Sequence, residues 1–230
     1  MVDPNLLLLE SAAAKLRDLI DKVVFVGGAT LGLHITDPGA APVRPTNDVD
    51  VIAEIATIVE YFDFSENLRA YGFREDTRED APACRWLNDS LVLDVMPVEK
   101  SVLGFSNRWY KDSLQSAQTT VLPNGLSIRV ISVVYFLGTK IEAFRGRGNQ
   151  DYWASRDLED CIAVIDGRES ILYEVASSAS GLRRYLSEAI QQLLSEPHFI
   201  DALPGYLMPD EGSQQRLPAL LHKLQAISKL

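Results

Sequence analysis

The stretch 44–52, RPTNDVDVI, places Asp48 and Asp50 at the beginning of an apolar run. Successive side chains of a β-strand point to opposite faces, so these two carboxylates share one face and lie about 7 Å apart. Two such charges repel each other unless something positive lies between them or solvent screens them. Three things could offset this repulsion: solvent, a basic side chain or a metal ion. The rest of the sequence must distinguish among them.

A third carboxylate lies in another apolar segment. The stretch 90–99, SLVLDVMPVE, sets Asp94 inside a strand-like run, where an unpaired carboxylate is costly to bury. If this strand pairs beside the first, three carboxylates converge on one patch. Mg²⁺ would turn their repulsion into coordination and would complete its shell with water and substrate phosphate. The plainer alternative is that all three acids lie on solvated strand faces.

Two glycines precede the paired aspartates. Gly27 and Gly28 follow the apolar strand-like VVFV and come before ATLGLHI, whose pattern is helical. The N-terminus of a helix attracts phosphate, and glycines let a phosphate approach the backbone. A tight turn between strand and helix would need the same residues. The pair matches neither the P-loop pattern nor the dinucleotide-binding fingerprint.

Lys140 stands on the apolar face of a predicted helix, since its neighbours three and four positions away on both sides are apolar. A lysine there either extends to the surface or reaches an anionic ligand such as a triphosphate. Further along, Asp157 and Asp160 share one helical face just after Ser155, a good N-cap. A carboxylate in a first turn is favoured by the helix dipole, which by itself accounts for Asp157.

Composition indicates an ordinary globular protein. The chain has 230 residues, 47% of them hydrophobic and 23% charged, and no apolar run approaches the ~20 residues that a membrane span needs. Cys84 and Cys161 are too few for a disulfide framework, so we expect a cytoplasmic protein with reduced thiols. A net charge of −10 argues against broad nucleic-acid binding, although it leaves room for a local basic strip.

The pattern along the chain changes near residue 130. Strand-like and helical segments alternate before that point, and the hairpin-like TTVLPNGLSIRVI ends this half. Afterwards the periodicity is helical throughout. The sequence therefore predicts an α/β (α+β) fold, with a mixed sheet flanked by helices in residues 1–130 and a helical domain in residues 131–230.

Taken together, these residues resemble the nucleotidyltransferase superfamily that includes DNA polymerase beta, and within it the bacterial AbiEii-type toxins. The resemblance rests on the two glycines after a strand, on TNDVDVI as the D-x-D strand, and on Asp94 as the third carboxylate. TKIEAFRGRG and SRDLEDCIAVID resemble the downstream lysine helix and the K-D-x-x-D segment. The match covers about residues 23–166.

Two features depart from the pattern of this superfamily. Nineteen residues separate Gly28 from Asp48, which is longer than usual, and the excess is the loop around TDPGAAP. That loop is either a tolerated surface insertion or a change in substrate access. Arg156 stands where relatives often have lysine, a change that a simple charge role would tolerate better than a precise one.

The resemblance implies a nucleotidyltransferase-type fold and a Mg²⁺-dependent enzyme. Such an enzyme moves a nucleoside monophosphate from a nucleoside triphosphate, ATP for example, to a hydroxyl acceptor. Asp48, Asp50 and Asp94 would be the metal ligands for two Mg²⁺ ions, with Asp94 also helping to deprotonate the acceptor.

The resemblance also assigns nucleotide-binding residues. Gly27, Gly28 and Thr30 would shape a phosphate loop, and Lys140 and Arg44 would neutralise the triphosphate. Asp157 would belong to the nucleotide site as well, and Lys140 would count among the catalytic residues.

The partners implied are a nucleoside triphosphate, an acceptor that is either RNA (a tRNA 3′ end) or protein, and an antitoxin protein if the chain acts as the toxin of a toxin–antitoxin system. No membrane is involved. The alternative function is a catalytically inactive nucleotide-binding or interaction module that keeps the same fold.

Overall fold

The computed structural model describes residues 3–230. Its tertiary contacts divide the chain into two units. One unit takes in the chain up to Gly32 together with Arg44–Ser132, and the other takes in Leu33–Val43 together with Val133–Leu230. The chain therefore enters the second unit briefly, returns to the first, and enters the second again.

A mixed seven-stranded sheet forms the first unit. Its strands are β1 (Val23–Val26), β2 (Val49–Ala53), β3 (Arg74–Glu75), β4 (Arg85–Asn88), β5 (Leu91–Pro97), β6 (Gln118–Val121) and β7 (Ser127–Val130). They lie in the order β3-β4-β5-β2-β1-β7-β6. Strand β2 runs parallel to β5 and antiparallel to β1, which confirms the predicted α/β class with a mixed sheet.

Within residues 3–130 there are five α-helices: α1 (Pro4–Leu16), α2 (Leu31–His34), α3 (Ile58–Ala70), α4 (Lys100–Leu103) and α5 (Tyr110–Gln115). Capping residues in the sequence fix where the two longest of these helices begin. The Asp3 side chain caps α1 by accepting from the Asn5 backbone N–H, and Thr57 and Glu60 form a capping box at α3. Helix α1 packs on β2 and β5, the strands that carry the aspartates.

The second unit is helical after Ser132, as the periodicity predicts. Its helices are α6 (Val133–Arg147), α7 (Arg156–Gly167), α8 (Ile171–Ala176), α9 (Ser180–Leu194), α10 (Pro197–Ala202), α11 (Glu211–Gln214) and α12 (Leu217–Ile227). Helices α6, α7, α9 and α12 pack on one another through buried apolar faces. Within residues 3–230, no helix is long and apolar enough to cross a membrane.

Residues 33–43, which contain the long loop between the glycines and the D-x-D strand, bind to the C-terminal end of α7. The backbone N–H groups of Thr36 and Asp37 both donate to the Gly167 carbonyl at 2.9 Å. Arg216 donates to Asp37 Oδ2 at 2.7 Å and to Asp166 Oδ2 at 2.8 Å. The excess length therefore forms a docked segment of the second unit, which we call the strap.

His34 lies at the beginning of the strap and is buried, 5% exposed. Its ring centroid lies 4.8 Å from that of Phe136, and its Nε2 makes no hydrogen bond within the described residues. Burial, followed by the charge of Arg168, lowers the pKa of His34 from 6.5 to about 3. The folded protein therefore holds this imidazole neutral.

The free energy of unfolding should decrease as the pH is lowered, because of His34. The unfolded chain protonates this residue below about pH 6.5 and the folded chain does not, so the contribution is lost progressively from pH 6.5 towards pH 3. At pH 5 the expected loss is about 2 kcal/mol. Urea unfolding of His34→Phe at pH 7.5 and pH 5.0 should show a smaller pH-dependent loss than the wild-type protein. His222→Phe, at an exposed position, is the control, and equal pH dependence of His34→Phe and wild type would contradict the expectation.

Candidate functional site

The sheet of the first unit brings the three predicted carboxylates together. Strands β2 and β5 are parallel neighbours, and Asp50 is the register partner of Asp94. Asp48 comes immediately before β2, on the same face as Asp50. Adjacent strands lie about 4.8 Å apart, so the side chains of Asp50 and Asp94 stand side by side. Asp94 is buried, 6% exposed, as its apolar surroundings in the sequence predict.

Gly27 packs directly against Asp50, so the glycine pair and the D-x-D strand lie next to each other. Its φ of 71° and ψ of −167° lie in a region that essentially only glycine adopts. A Cβ at this position would lie 1.9 Å from Asp50 Oδ2. The buried Thr30 hydroxyl donates to the Gly27 carbonyl at 2.9 Å, so Thr30 holds the turn from within.

The helix expected after the glycines is short. A 3₁₀ turn, Gly28–Thr30, continues into the single turn of α2. The dipole of such a short helix is small, because each peptide unit adds only its own contribution. The helix therefore supplies only a weak dipole, and the space beside Gly27 is filled by the Asp50 carboxylate.

Gly27→Ala should destabilise the protein more than a glycine substitution that meets no neighbour. Both the Gly-only backbone and the overlap with Asp50 oppose a side chain, and the backbone effect alone is about 1–3 kcal/mol. Gly104→Ala is the matched control, since Gly104 has a φ of 82° and a Cβ there would meet no atom within 4 Å. Urea unfolding of both variants measures the difference, and equal losses would show that the contact with Asp50 is unimportant.

Arg85 is the main residue that the sequence reasoning missed. It lies on β4 as the register partner of Asp94. Its Nε donates to Asp94 Oδ1 at 2.8 Å, and its Nη2 donates to Asp94 Oδ2 at 2.7 Å and to Asp48 Oδ2 at 3.2 Å. These bonds to Asp94 raise the pKa of Arg85 above its usual value. A basic side chain, one of the three candidates for neutralising the aspartates, therefore lies among them.

Asn5 is a second residue that the sequence did not reveal. It is buried on α1, where its Nδ2 donates to the Arg44 carbonyl and its Oδ1 accepts from the Thr46 N–H, both at 3.0 Å. The Thr46 hydroxyl in turn donates to Asp48 Oδ1 at 2.8 Å. Helix α1 thus holds the loop that leads into Asp48. Asn5 contacts the backbone of Arg44 and not its side chain. The Arg44 Nη1 lies 3.4 Å from the Pro45 carbonyl oxygen.

The predicted residues of the second unit form a cluster of their own. Lys140 Nζ lies 2.6 Å from Asp160 Oδ2 and 3.3 Å from Asp157 Oδ1. Arg147 Nε also contacts Asp157, at 3.1 Å. Asp160 is fully buried. Lys140 therefore contacts two carboxylates of α7. The sequence predicts that it either extends to the surface or contacts a bound anion.

Cys84 lies beside the carboxylates of the first unit, and it remains a thiol. Burial, followed by the charges of Asp94 and Asp50, raises the pKa of Cys84 to about 12. Cys161 is also free and buried, with a raised pKa. Since the thiolate is the nucleophilic form, neither cysteine is suited to attack a substrate.

The donor chemistry of the first-unit cluster suits Mg²⁺, which prefers carboxylate oxygens. Within residues 3–230, no three His, Cys, Asp or Glu side chains are arranged as a complete metal site. As the side chains stand, Asp94 and Asp48 direct oxygens at Arg85. The type of these donors suits a hard divalent cation, but Arg85 occupies oxygens of both Asp94 and Asp48.

No protein-family model matches the chain, and no curated protein matches its sequence. Among solved structures, the chain is similar to the crystal structure of an antigenic nucleotidyltransferase-like protein from Paracoccidioides brasiliensis. The TM-score is 0.54 at 19% sequence identity, over 97% of this chain and 93% of that one. This similarity concerns the fold, which is thus nucleotidyltransferase-like, as the sequence resemblance implies.

Proposed function

We propose that the protein is a Mg²⁺-dependent nucleotidyltransferase that moves a nucleoside monophosphate from a nucleoside triphosphate to a hydroxyl acceptor. One observation carries this proposal. Asp50 and Asp94 stand in register on parallel strands, and Gly27 packs against Asp50, so two carboxylates and the glycine turn lie together. The nucleotidyltransferase-like fold supports the same reading.

Each residue of the first unit would have a distinct task. Asp48, Asp50 and Asp94 would hold Mg²⁺, which when bound neutralises phosphate charge and stabilises the entering and leaving oxygens. The backbone at Gly27 and Gly28 would approach the phosphates on the side that the Asp50 carboxylate does not fill.

The transfer itself would be a displacement at the α-phosphorus. The acceptor oxygen forms a bond to that phosphorus, the bond to the β-phosphate oxygen breaks, and pyrophosphate leaves. Asp94 would take the proton of the acceptor hydroxyl, since each carboxylate oxygen keeps a lone pair beyond its bond to Arg85.

Lys140, Arg44 and Asp157 would contribute at the nucleotide. For Lys140 to contact a phosphate, it would have to release at least one of its two carboxylate partners. A triphosphate carries enough negative charge to compete for the lysine, and Asp157 would keep Arg147 as its partner.

The acceptor and the biological role rest on the sequence resemblance to AbiEii-type toxins. We place the acceptor among RNA 3′ ends, including those of tRNA, and protein hydroxyl groups. The role that follows is that of a cytoplasmic toxin restrained by an antitoxin protein. A small basic strip would suffice to bind an RNA end despite the net charge of −10.

One observation favours a second candidate function. Arg85 neutralises Asp94 and part of Asp48, as it would in a module that binds nucleotides without turnover. Such a module would bind a nucleoside triphosphate and transfer nothing.

The deciding experiment supplies each of four α-³²P-labelled nucleoside triphosphates with Mg²⁺, total RNA and cell extract. The Asp48→Ala/Asp50→Ala protein is the blank. Label in RNA or in a protein band that is missing from the blank supports the transferase and identifies its acceptor class. Nucleotide binding by calorimetry without any label above the blank would replace it with the binding module.

A further inference from the structure

A cavity of about 440 Å³ in the second unit has no part in the proposed transfer. It lies between the C-terminal half of α6, residues 149–152 and the C-terminal half of α9. Pockets for small molecules typically have volumes of about 300–1,000 Å³. We propose that this cavity, which we call the α6–α9 pocket, binds an adenine base, either in a free nucleoside or nucleotide or in an RNA strand.

The buried lining of the pocket is apolar. It consists of Ile141, Phe144, Ala189 and Leu193. Tyr152 adds an aromatic ring, whose centroid lies 5.5 Å from that of Phe144. Apolar and aromatic atoms suit the face of a planar heterocycle, because the hydrogen-bonding groups of such a ring lie at its edges.

Tyr152 is held in place by the rest of the second unit. Its ring centroid lies 6.4 Å from that of the buried Phe199, and its carbonyl oxygen accepts from the Tyr206 hydroxyl. This wall of the pocket is therefore formed before a ligand arrives, which lowers the entropy that binding costs.

Amide groups dominate the polar lining. Asn149, Gln150 and Gln192 supply them, and Glu196 supplies a carboxylate. An asparagine or glutamine amide pairs with adenine through one donor and one acceptor, at N7 and the N6 amino group. Within the described residues, the Glu196 side chain makes no capping hydrogen bond at α10, so it can accept from the second hydrogen of that amino group.

Asn149 and Gln150 present their amides from an uncommon backbone conformation. Their φ angles are 47° and 59°, in the left-handed region that non-glycine residues rarely adopt. Such conformations cost free energy and cluster at ligand-binding sites. The strain therefore favours a binding role for these two residues over a role in packing.

Adenine fits the charges of the pocket better than guanine or a phosphate group does. Among the described residues that line it, Arg145 is the one basic residue and Glu196 the one acidic residue, so the formal charge is zero. Arginine most often recognises guanine, but the Arg145 guanidinium donates to Gln192 Oε1 at 2.5 Å and lies 4.8 Å from the centre of the Tyr185 ring. This bond uses the Gln192 oxygen and leaves the donor side of its amide for the ligand.

The test is equilibrium dialysis of ³H-labelled nucleosides against the full chain, with EDTA and without Mg²⁺. Adenosine should bind saturably at one site per chain. Guanosine, cytidine and uridine should bind at least about 5-fold more weakly, which is the smallest discrimination expected of a bidentate amide contact. No saturable binding of adenosine, or equal binding of the four nucleosides, would overturn the inference.

Gly146→Leu tests the location of the site. Gly146 lines the pocket, and a Cβ there would meet no atom within 4 Å. Leucine is a better helix former than glycine, so the variant should fold, and its side chain should fill the pocket and abolish saturable adenosine binding. Gly181→Leu in α9, where a Cβ also meets no atom within 4 Å, should bind adenosine like the wild-type protein. Wild-type binding by Gly146→Leu would contradict the location.

A second pair of variants tests the amides. Asn149→Asp/Gln150→Glu keeps the shape of both side chains and removes their donors, so it should weaken adenosine binding at least about 5-fold. Gln225→Glu makes the same change at an exposed position on α12 and should have no effect. An unchanged affinity in the double variant would refute recognition by these amides. If Gly146→Leu does not fold, which circular dichroism would show, the double variant decides.

AMP and trinucleotides distinguish the two sources of the base. Binding of adenosine and AMP without r(UAU) assigns the pocket to free nucleosides and nucleotides, whereas binding of r(UAU) but not r(UUU) assigns it to an RNA strand as well, and both results support the adenine site. Binding of AMP without adenosine would overturn the inference, since it shows recognition of the phosphate. None of these measurements requires turnover, so they test the pocket whether or not the protein transfers nucleotides.

Discussion

Replacing Asp50 by asparagine is expected to abolish nucleotide transfer while leaving the protein folded. Asp50 lies at the point where β2, β5 and the Gly27 turn meet. Asparagine keeps the shape of the side chain and removes the charge that would hold the cation. Loss of a residue that only orients a metal ligand typically costs 10–100-fold in activity, so loss of a ligand should reduce transfer by at least about 100-fold.

The measurement is the rate of label transfer from an α-³²P-labelled nucleoside triphosphate, with urea unfolding as the check on the fold. Asp63→Asn, at an exposed position on α3 of the same unit, removes the same charge and should transfer at the wild-type rate. Undiminished transfer by Asp50→Asn would refute the assignment of this residue.

The largest loss of stability is expected from Lys140→Met. This change leaves Asp160, which is fully buried, without the ammonium group 2.6 Å away. Removing one partner of a buried ion pair typically costs about 3–5 kcal/mol, because the remaining charge is uncompensated. Urea unfolding at pH 7 should show a loss of that size.

The double variant Lys140→Met/Asp160→Leu should recover much of this loss, since it removes both charges and fills the space with apolar atoms. Lys15→Met is the matched surface control. Lys15 pairs with Asp89 at 2.7 Å, but Asp89 is 83% exposed, so the expected loss is below about 1 kcal/mol. A Lys140→Met protein as stable as the Lys15→Met protein would show that the cluster does not hold α6 and α7 together.

The strands that carry the aspartates were predictable because their signals are local. An apolar run with two acids at period two identifies β2, an apolar run with one acid identifies β5, and two glycines mark the end of β1. The pairing of β2 with β5 was not predictable, because the order of strands along the chain does not determine which strands are neighbours in a sheet. Once they pair in parallel, the side-by-side placement of Asp50 and Asp94 follows from the register.

The contacts of Asn5, and the bond of Arg85 to Asp48, were beyond reach because their partners are distant in the sequence. Asp48 lies 37 residues from Arg85, and Arg44 lies 39 residues from Asn5. Still, Arg85 interrupts an apolar strand just as Asp94 does. A charge in a buried strand needs a compensating partner, which applies to Arg85 as much as to Asp94. The two residues compensate each other across β4 and β5.

The route of the chain through the strap has a consequence for folding during synthesis. Asp37 emerges from the ribosome long before Arg216, its partner 179 residues later. Contacts at such separations form late, because a long loop must close first. Until Gly167 has emerged the strap lacks its backbone partner, and until Arg216 has emerged it lacks its side-chain partner, although it lies only a few residues before Asp48 and β2. A nascent chain should therefore remain open to proteases between Leu33 and Val43 at least until α7 has emerged, and the emergence of Arg216 should complete the protection.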